Sequence, residues 1–314
     1  MHLRPRATVC LALLATSLTA LADTGLGRHK KAYAVPVPGK VVIDGKLDDW
    51  DLSGQIFMYV VSETSEMQSA RCALMYDAEA LYISGVVRDP SPMMNRHDPN
   101  VDPDKAWDAD VCQIFLSLDP ALGYPIHKSS FNKDESDKMC TLMLWYYTDR
   151  KEPNLVAMRA MTFSKPLRPD LSANGVIPRD KFQAAYLKAD DGRGYTFEYR
   201  IPWATFGVKP VKAGDILAGS ICVFWGTPDG LKTAGGGAWC YDVMAGPGFV
   251  YQSSSVWGKI IFSDKGNLPK DLVEEGLPPE KPMPLTFAYD VPEESEVSIC
   301  LADATGMVRR ILVA

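Results

Sequence analysis

Between residues 35 and 263 the chain is a succession of short apolar runs rich in β-branched and aromatic side chains, each closed by Gly, Pro, Asn or Asp. Runs of that length and composition form strands, and few segments show the helical period that would place an apolar stripe on one side. The pattern leaves few architectures open. The body folds as an all-β sandwich or jelly roll.

The run Ala70–Tyr76 and the run Leu81–Val87, joined by Asp77-Ala78-Glu79, read as a hairpin. In Tyr195–Trp203, Thr196, Glu198 and Arg200 alternate with Tyr195, Phe197, Tyr199 and Ile201, which predicts a strand with one wet face. Leu217–Trp225 is almost continuously apolar and belongs at the centre of a sheet. Trp145 and Tyr147 share one strand face, either an aromatic platform or sandwich core. The segment Asp89–Asp104 is a long loop carrying Pro90, Pro92, Pro99 and Pro103, and loops of that length inside a compact domain are often functional.

That loop delivers Trp107 and its acidic neighbours Asp108 and Asp110 to the mouth of a strand that continues Val111-Cys112-Gln113-Ile114-Phe115. An indole offers a flat apolar face with one N–H donor, and carboxylates and amides beside it offer directional hydrogen bonds. The C–H face of a sugar ring fits such a surface. The alternative is that Trp107 packs as a rim residue over the end of the sandwich.

The ends of the chain read differently. Arg4 and Arg6, the mainly apolar Val9–Leu21 and the small-residue site Ala20-Leu21-Ala22 predict a signal peptide over residues 1–22, and a secreted, periplasmic or cell-surface location follows. Residues 23–34 read as a flexible lead-in, and 264–284, rich in Pro, Glu and Lys, as a linker. Residues 285–314 hold three more strand-like runs, too few for an independent sandwich. No run is long enough for a membrane-spanning helix, and a net charge of -6 without a Lys/Arg cluster argues against nucleic acid as partner. Beyond the signal, Cys72, Cys112, Cys140 and Cys222 lie in apolar strand-like runs, and with Cys240 and Cys300 they allow one or two disulfides whose pairing the sequence does not assign. Asp44 and Asp48, in the turn before Trp50, either cap that turn or supply oxygens to a calcium ion.

With these runs in order, the chain resembles the family 9 carbohydrate-binding modules of the DOMON-like β-sandwich group. The resemblance rests on Val42–Trp50, Ala73–Ile83, Trp107–Phe115, Tyr195–Phe206 and Trp257–Phe262. It implies a non-catalytic module in which two aromatic side chains hold the end of a polysaccharide or oligosaccharide chain and calcium braces the loops. Trp107 falls on one aromatic position and Tyr251 near the other, with Gln113, Asp108 and Trp239 as further contacts. Glycan-degrading enzymes are the partners such a module implies. Two positions depart from the sugar-binding members: Gln113 stands where they carry an acid, and Met143 where they carry a base. Other DOMON-like relatives hold haem, for which Met93, Met94 and His97 are the local cluster, and a structural or interaction role for the sandwich is a third reading. The tail from Val297 to Leu312 resembles the start of an Ig-like module.

Overall fold

The structure, a computed structural model, describes residues 29, 31–59, 64–124, 126, 138–159, 167, 175–239, 254–272, 299–302 and 308–313. Contacts divide the chain into two compact units, Thr24–Pro278 and a second made of Met1–Asp23 with Pro279–Ala314. In the second, β13 (Ile299–Ala302) and β14 (Val308–Val313) form an antiparallel ladder.

The larger unit is all-β. Its strands are β1 (Lys31–Pro36), β2 (Ile56–Tyr59), β3 (Ser69–Tyr76), β4 (Ala80–Arg88), β5 (Val111–Ser117) and β6 (Met139–Tyr147). They continue with β7 (Glu152–Arg159), β8 (Gln183–Lys188), β9 (Gly194–Pro202), β10 (Ile216–Gly226), β11 (Thr233–Trp239) and β12 (Gly258–Phe262). One hydrogen-bonded path runs β7-β6-β5-β10-β12-β1-β3-β4-β9-β8, with β11 added to β10 and β2 to β3. Both halves of the path send alternate residues into one core, where Cys72, Leu74 and Ile83 from one half join Ile114, Leu142 and Trp225 from the other. The result is a nearly closed sandwich.

The seam between the halves is β1. It pairs in parallel with β12 through Lys31↔Lys259 to Ala34↔Phe262, and in parallel with β3 through Ala34↔Leu74 to Pro36↔Tyr76. Residues 31–34, read above as flexible lead-in, are therefore sheet. The far end of the body also extends past its predicted limit: Asn267 N–H donates to Asp51 Oδ2 at 2.6 Å and Leu268 N–H to Ser53 Oγ at 2.8 Å. Leu268 packs on a small apolar cluster around Trp50, so the first residues of the predicted linker are stitched to the body.

The hairpin β3–β4 forms as expected, because Asp77 Oδ1 accepts from the N–H groups of Glu79 and Ala80 and so holds the turn. Trp50 is a buried plug under its own turn. Trp145 and Tyr147 are buried too, in a second apolar layer that covers the outer face of β5, β6 and β10 together with Ala106, Met143 and Trp257. Glycine fixes one close approach: a Cβ on Gly85 would sit 2.2 Å from the Phe197 ring across the β4–β9 ladder.

The strand β9 keeps its predicted wetter face at Thr196 and Arg200 and departs from it at Glu198. Glu198 is 0% exposed because the turn at Asp44 and Gly45 folds over it, and Asp44 N–H donates to Glu198 Oε2 at 3.1 Å. Burial pushes the Glu198 carboxyl up to about 7 against the pull of the Gly45 and Asp44 N–H groups, and the charges of Asp44 and Asp49 push the same way as burial. Alternation alone does not reveal a covering loop that comes from elsewhere in the chain.

Candidate functional site

The long loop is tied down from inside. Asn95, 0% exposed, donates through Nδ2 to Ala106 O at 2.8 Å and Asp110 O at 3.0 Å, and its Oδ1 accepts from His97 N–H. Thr148, just past β6, contacts the same loop: its Oγ1 accepts from Asn95 N–H at 2.8 Å, and its own N–H donates to Asn95 O. His97 Nδ1 lies 2.7 Å from Asp102 Oδ2, and Trp145 Nε1 donates to His97 O. Asp98 accepts from Arg150 at 2.5 Å and from Asn100 N–H, which hold its carboxyl below the usual range. With so many backbone groups satisfied by fixed partners, the loop is a built shelf rather than a floppy connection.

At the foot of the shelf stands an acid pair. Asp110 Oδ2 accepts from Met94 N–H at 2.7 Å and its Oδ1 from Gly226 N–H, while Asp89 Oδ1 accepts from Ser91 N–H at 2.8 Å. Both carboxyls are buried, and among the described residues Asp89 Oδ2 has no hydrogen-bond partner. Burial raises the pKa of both, that of Asp110 strongly, and the Asp89 charge adds to the rise at Asp110. Gly226 has no room for a side chain here, since a Cβ would meet Met94 O at 2.7 Å and Asp110 at 3.0 Å.

Trp107 sits on a 3-10 turn, Pro103–Asp108, whose Ala106 is fully buried and anchors it. The indole itself is 42% exposed. Its neighbour Asp108 accepts through Oδ1 from Thr233 N–H at 2.8 Å and Thr233 Oγ1 at 2.9 Å, fastening the turn to the start of β11. Arg96 N–H donates to Gly230 O, so the turn before β11 is held to the same shelf, and it carries the exposed Leu231. A rigid, partly apolar rim results.

The sequence-derived site residues meet different fates. Trp107 and Asp108 come together as expected, although one oxygen of Asp108 is engaged by Thr233 and holds the platform instead of facing a ligand. Gln113 is 3% exposed, paired with Met143 on β6 and with Cys222 on β10. The second apolar layer covers that face of β5, so Gln113 presents no open amide to solvent. Trp239 ends β11 opposite Cys222, while its side chain and all of Tyr251 lie outside the described residues. Asp44 and Asp48 are exposed, and Asp44 Oδ1 already accepts from Lys46 N–H. Among the described residues no three His, Cys, Asp or Glu side chains converge as metal ligands. Of the Met93, Met94 and His97 cluster, His97 is a buried brace of the loop and Met93 adopts a left-handed backbone at φ 64°. Among the described residues no helix is long and apolar enough to cross a membrane.

Asn95, Asp89 and Thr233 escaped the sequence reading. A buried Asn in a loop has no spacing signature, and an aspartate pair 21 positions apart becomes a pair only when β4 and β5 bring their ends together.

No protein-family model matches the chain, and no curated protein sequence matches it. Among solved structures, a family 9 carbohydrate-binding module from Caldicellulosiruptor kristjanssonii in complex with cellotriose aligns over 76% of this chain and 96% of its own, at 19% identity and a TM-score of 0.48. A family 9 module from the same organism in complex with glucose aligns over 76% of this chain and 99% of its own, with the same identity and TM-score.

Proposed function

We propose that the chain is an exported, non-catalytic carbohydrate-binding module that takes a polysaccharide or oligosaccharide on the face of Trp107. The observation that carries this reading is a half-exposed indole on a turn whose every flank is fixed, by Ala106 below, by Asp108 to Thr233 at one side and by Asn95 beneath. A large aromatic held rigidly at the surface binds with little ordering cost, which is what a weakly apolar ligand such as a sugar ring requires. Tyr251 is the proposed second wall and Trp239 a further contact. Glycan-degrading enzymes acting on the same polymer are the proposed partners.

Titration with glucose, cello-oligosaccharides and a panel of plant and algal polysaccharides, read by tryptophan fluorescence, tests this. Trp107→Ala should weaken binding by roughly 30-fold, the loss of a central aromatic anchor of about 2 kcal/mol. Saturable binding that survives Trp107→Ala unchanged would place the site elsewhere, and no response to any glycan would favour a structural or interaction role.

A further inference from the structure

The end of the sandwich opposite Trp107 carries a recess of its own. The β4–β9 ladder runs from Arg88↔Gly194 to Ala80↔Pro202, and the loop to Trp107 departs from the Arg88 end, so about 25 Å of strand separates that loop from Pro202. At the Pro202 end, residues of the 3-10 turn Arg179–Lys181 and of the helical turn Trp203–Phe206 line a cleft of about 610 Å3. That volume is typical of a small-molecule site. Ile177, Pro178, Phe182 and Pro202 give the cleft apolar walls. Gln183 and Arg200, also in its lining, are direct partners in the β8–β9 ladder, so their side chains leave the same face of the sheet side by side.

Arg200 sets the chemistry of this cleft. Its Nε donates to Tyr82 OH at 3.0 Å, and Tyr82 stands directly across from it on β4, so the guanidinium is positioned from within the sheet. Nη2 donates to Glu79 Oε2 at 2.6 Å, but the Glu79 side chain is 76% exposed, and an ion pair so open to water is weak. Nη1 has no partner among the described residues. A guanidinium held in place with one edge open is matched by a carboxylate, which accepts two N–H groups at once. We propose that the cleft binds a hydroxylated carboxylate of about the size of one sugar ring, either a uronic acid unit or a free hydroxy acid. The ligand carboxylate takes the place of Glu79 across Nη1 and Nη2, and its carbon skeleton lies against the apolar walls. The Gln183 amide meets its hydroxyls, as does Thr205 Oγ1, which gives its own proton to Lys181 O at 3.1 Å and is left to accept. Lys181 adds a second cation to the lining, paired at 3.2 Å with the exposed Asp180. None of this depends on sugar binding at Trp107.

Calorimetric titration of the full chain with glucuronic acid, its neutral methyl ester and tartrate tests the proposal. At least one of the two acids should saturate a single site with a Kd of about 1 mM or tighter, and the methyl ester should bind roughly 10-fold more weakly than glucuronic acid if that is the acid bound. Saturation by glucuronic acid alone assigns a uronic acid unit, and saturation by tartrate assigns a free hydroxy acid. Arg200→Lys keeps the charge but loses the fork, and should weaken binding roughly 10-fold. Glu79→Gln removes the competing carboxylate and should tighten it roughly 3-fold, a gain that a purely structural Arg200–Glu79 pair would not give. Gln183→Trp, at an exposed strand position, fills the cleft with Arg200 left intact and should abolish binding, which decides the matter even if Arg200→Lys folds badly. No saturable binding of either acid by the unmutated chain, an ester bound as tightly as its acid, or binding that survives Gln183→Trp unchanged would overturn the proposal. Carboxylate and neutral-glycan titrations are separate measurements, so the failure of either reading leaves the other standing.

Discussion

Asn95 shows how much a single loop residue can hold. Its amide bridges Ala106, just before Trp107, and Asp110, just past the turn's end, and every one of its side-chain polar atoms meets a partner inside the protein. Replacing it by Ala leaves the carbonyls of Ala106 and Asp110 buried without a donor, a cost of about 1–3 kcal/mol for each group left unpaired. Asn95→Ala should therefore lower the melting temperature by several degrees, with the indole becoming more accessible to an acrylamide quencher. A variant with unchanged quenching would show that the shelf is held without it. The sequence announced Trp107 by its chemistry, since a large aromatic beside acids at a strand entrance is conspicuous. Nothing announced Asn95, whose role exists only in three dimensions. Gln113 illustrates the reverse: its amide looked available beside Trp107, but strand alternation says which face a residue is on and not what lies over that face.

At the scale of elements, the ladder β4–β9 is fitted by one absence. Gly85 lets the Phe197 ring lie flat against the backbone of its neighbour strand, where any side chain would collide. Gly85→Ala should cost about 1–3 kcal/mol by overpacking, read as a lower urea midpoint with an unchanged slope. A neutral result would mean that Phe197 swings away without loss. The free side of β8 is also managed: Arg179 donates to Phe182 O at 3.0 Å and Ala184 O at 3.1 Å, occupying carbonyls that an unprotected edge would offer to another chain. Strand existence was legible at this scale because composition and turn residues mark it. The start of β1 was not, because the ladder partners of Lys31–Tyr33 lie on β12, far along the sequence.

Over the whole molecule, three buried acids work against the usual pH dependence. Asp89, Asp110 and Glu198 all hold protons in the folded state at a pH where the unfolded chain has released them, their ordinary values being 3.8, 3.8 and 4.5. When the native state binds more protons, stability falls as pH rises. Acids of the opposite kind, Asp98 and Asp119, whose pKa values are lowered chiefly by backbone N–H groups, contribute stability that is fully present above about pH 5 and lost only as pH falls below it, so they leave the slope above that pH unchanged. Between pH 4.5 and pH 7 the raised acids dominate, so the free energy of unfolding should decline by about 1–3 kcal/mol across that window. Urea melts at a series of pH values measure it, and Glu198→Gln should flatten the slope; a rise in stability toward neutrality would contradict the assignment of these protons.

The parallel seam made by β1 sets the order in which the molecule can be completed. Its two partners, β3 and β12, leave the ribosome at very different times, and only the last of them joins the two halves. Until Gly258–Phe262 arrives, the first strand has one neighbour and the half-built barrel gapes along its length. Such a chain folds slowly, through late long-range contact, and depends on shelter during the wait. Any truncation before β12 yields two open half-sheets instead of a smaller sandwich.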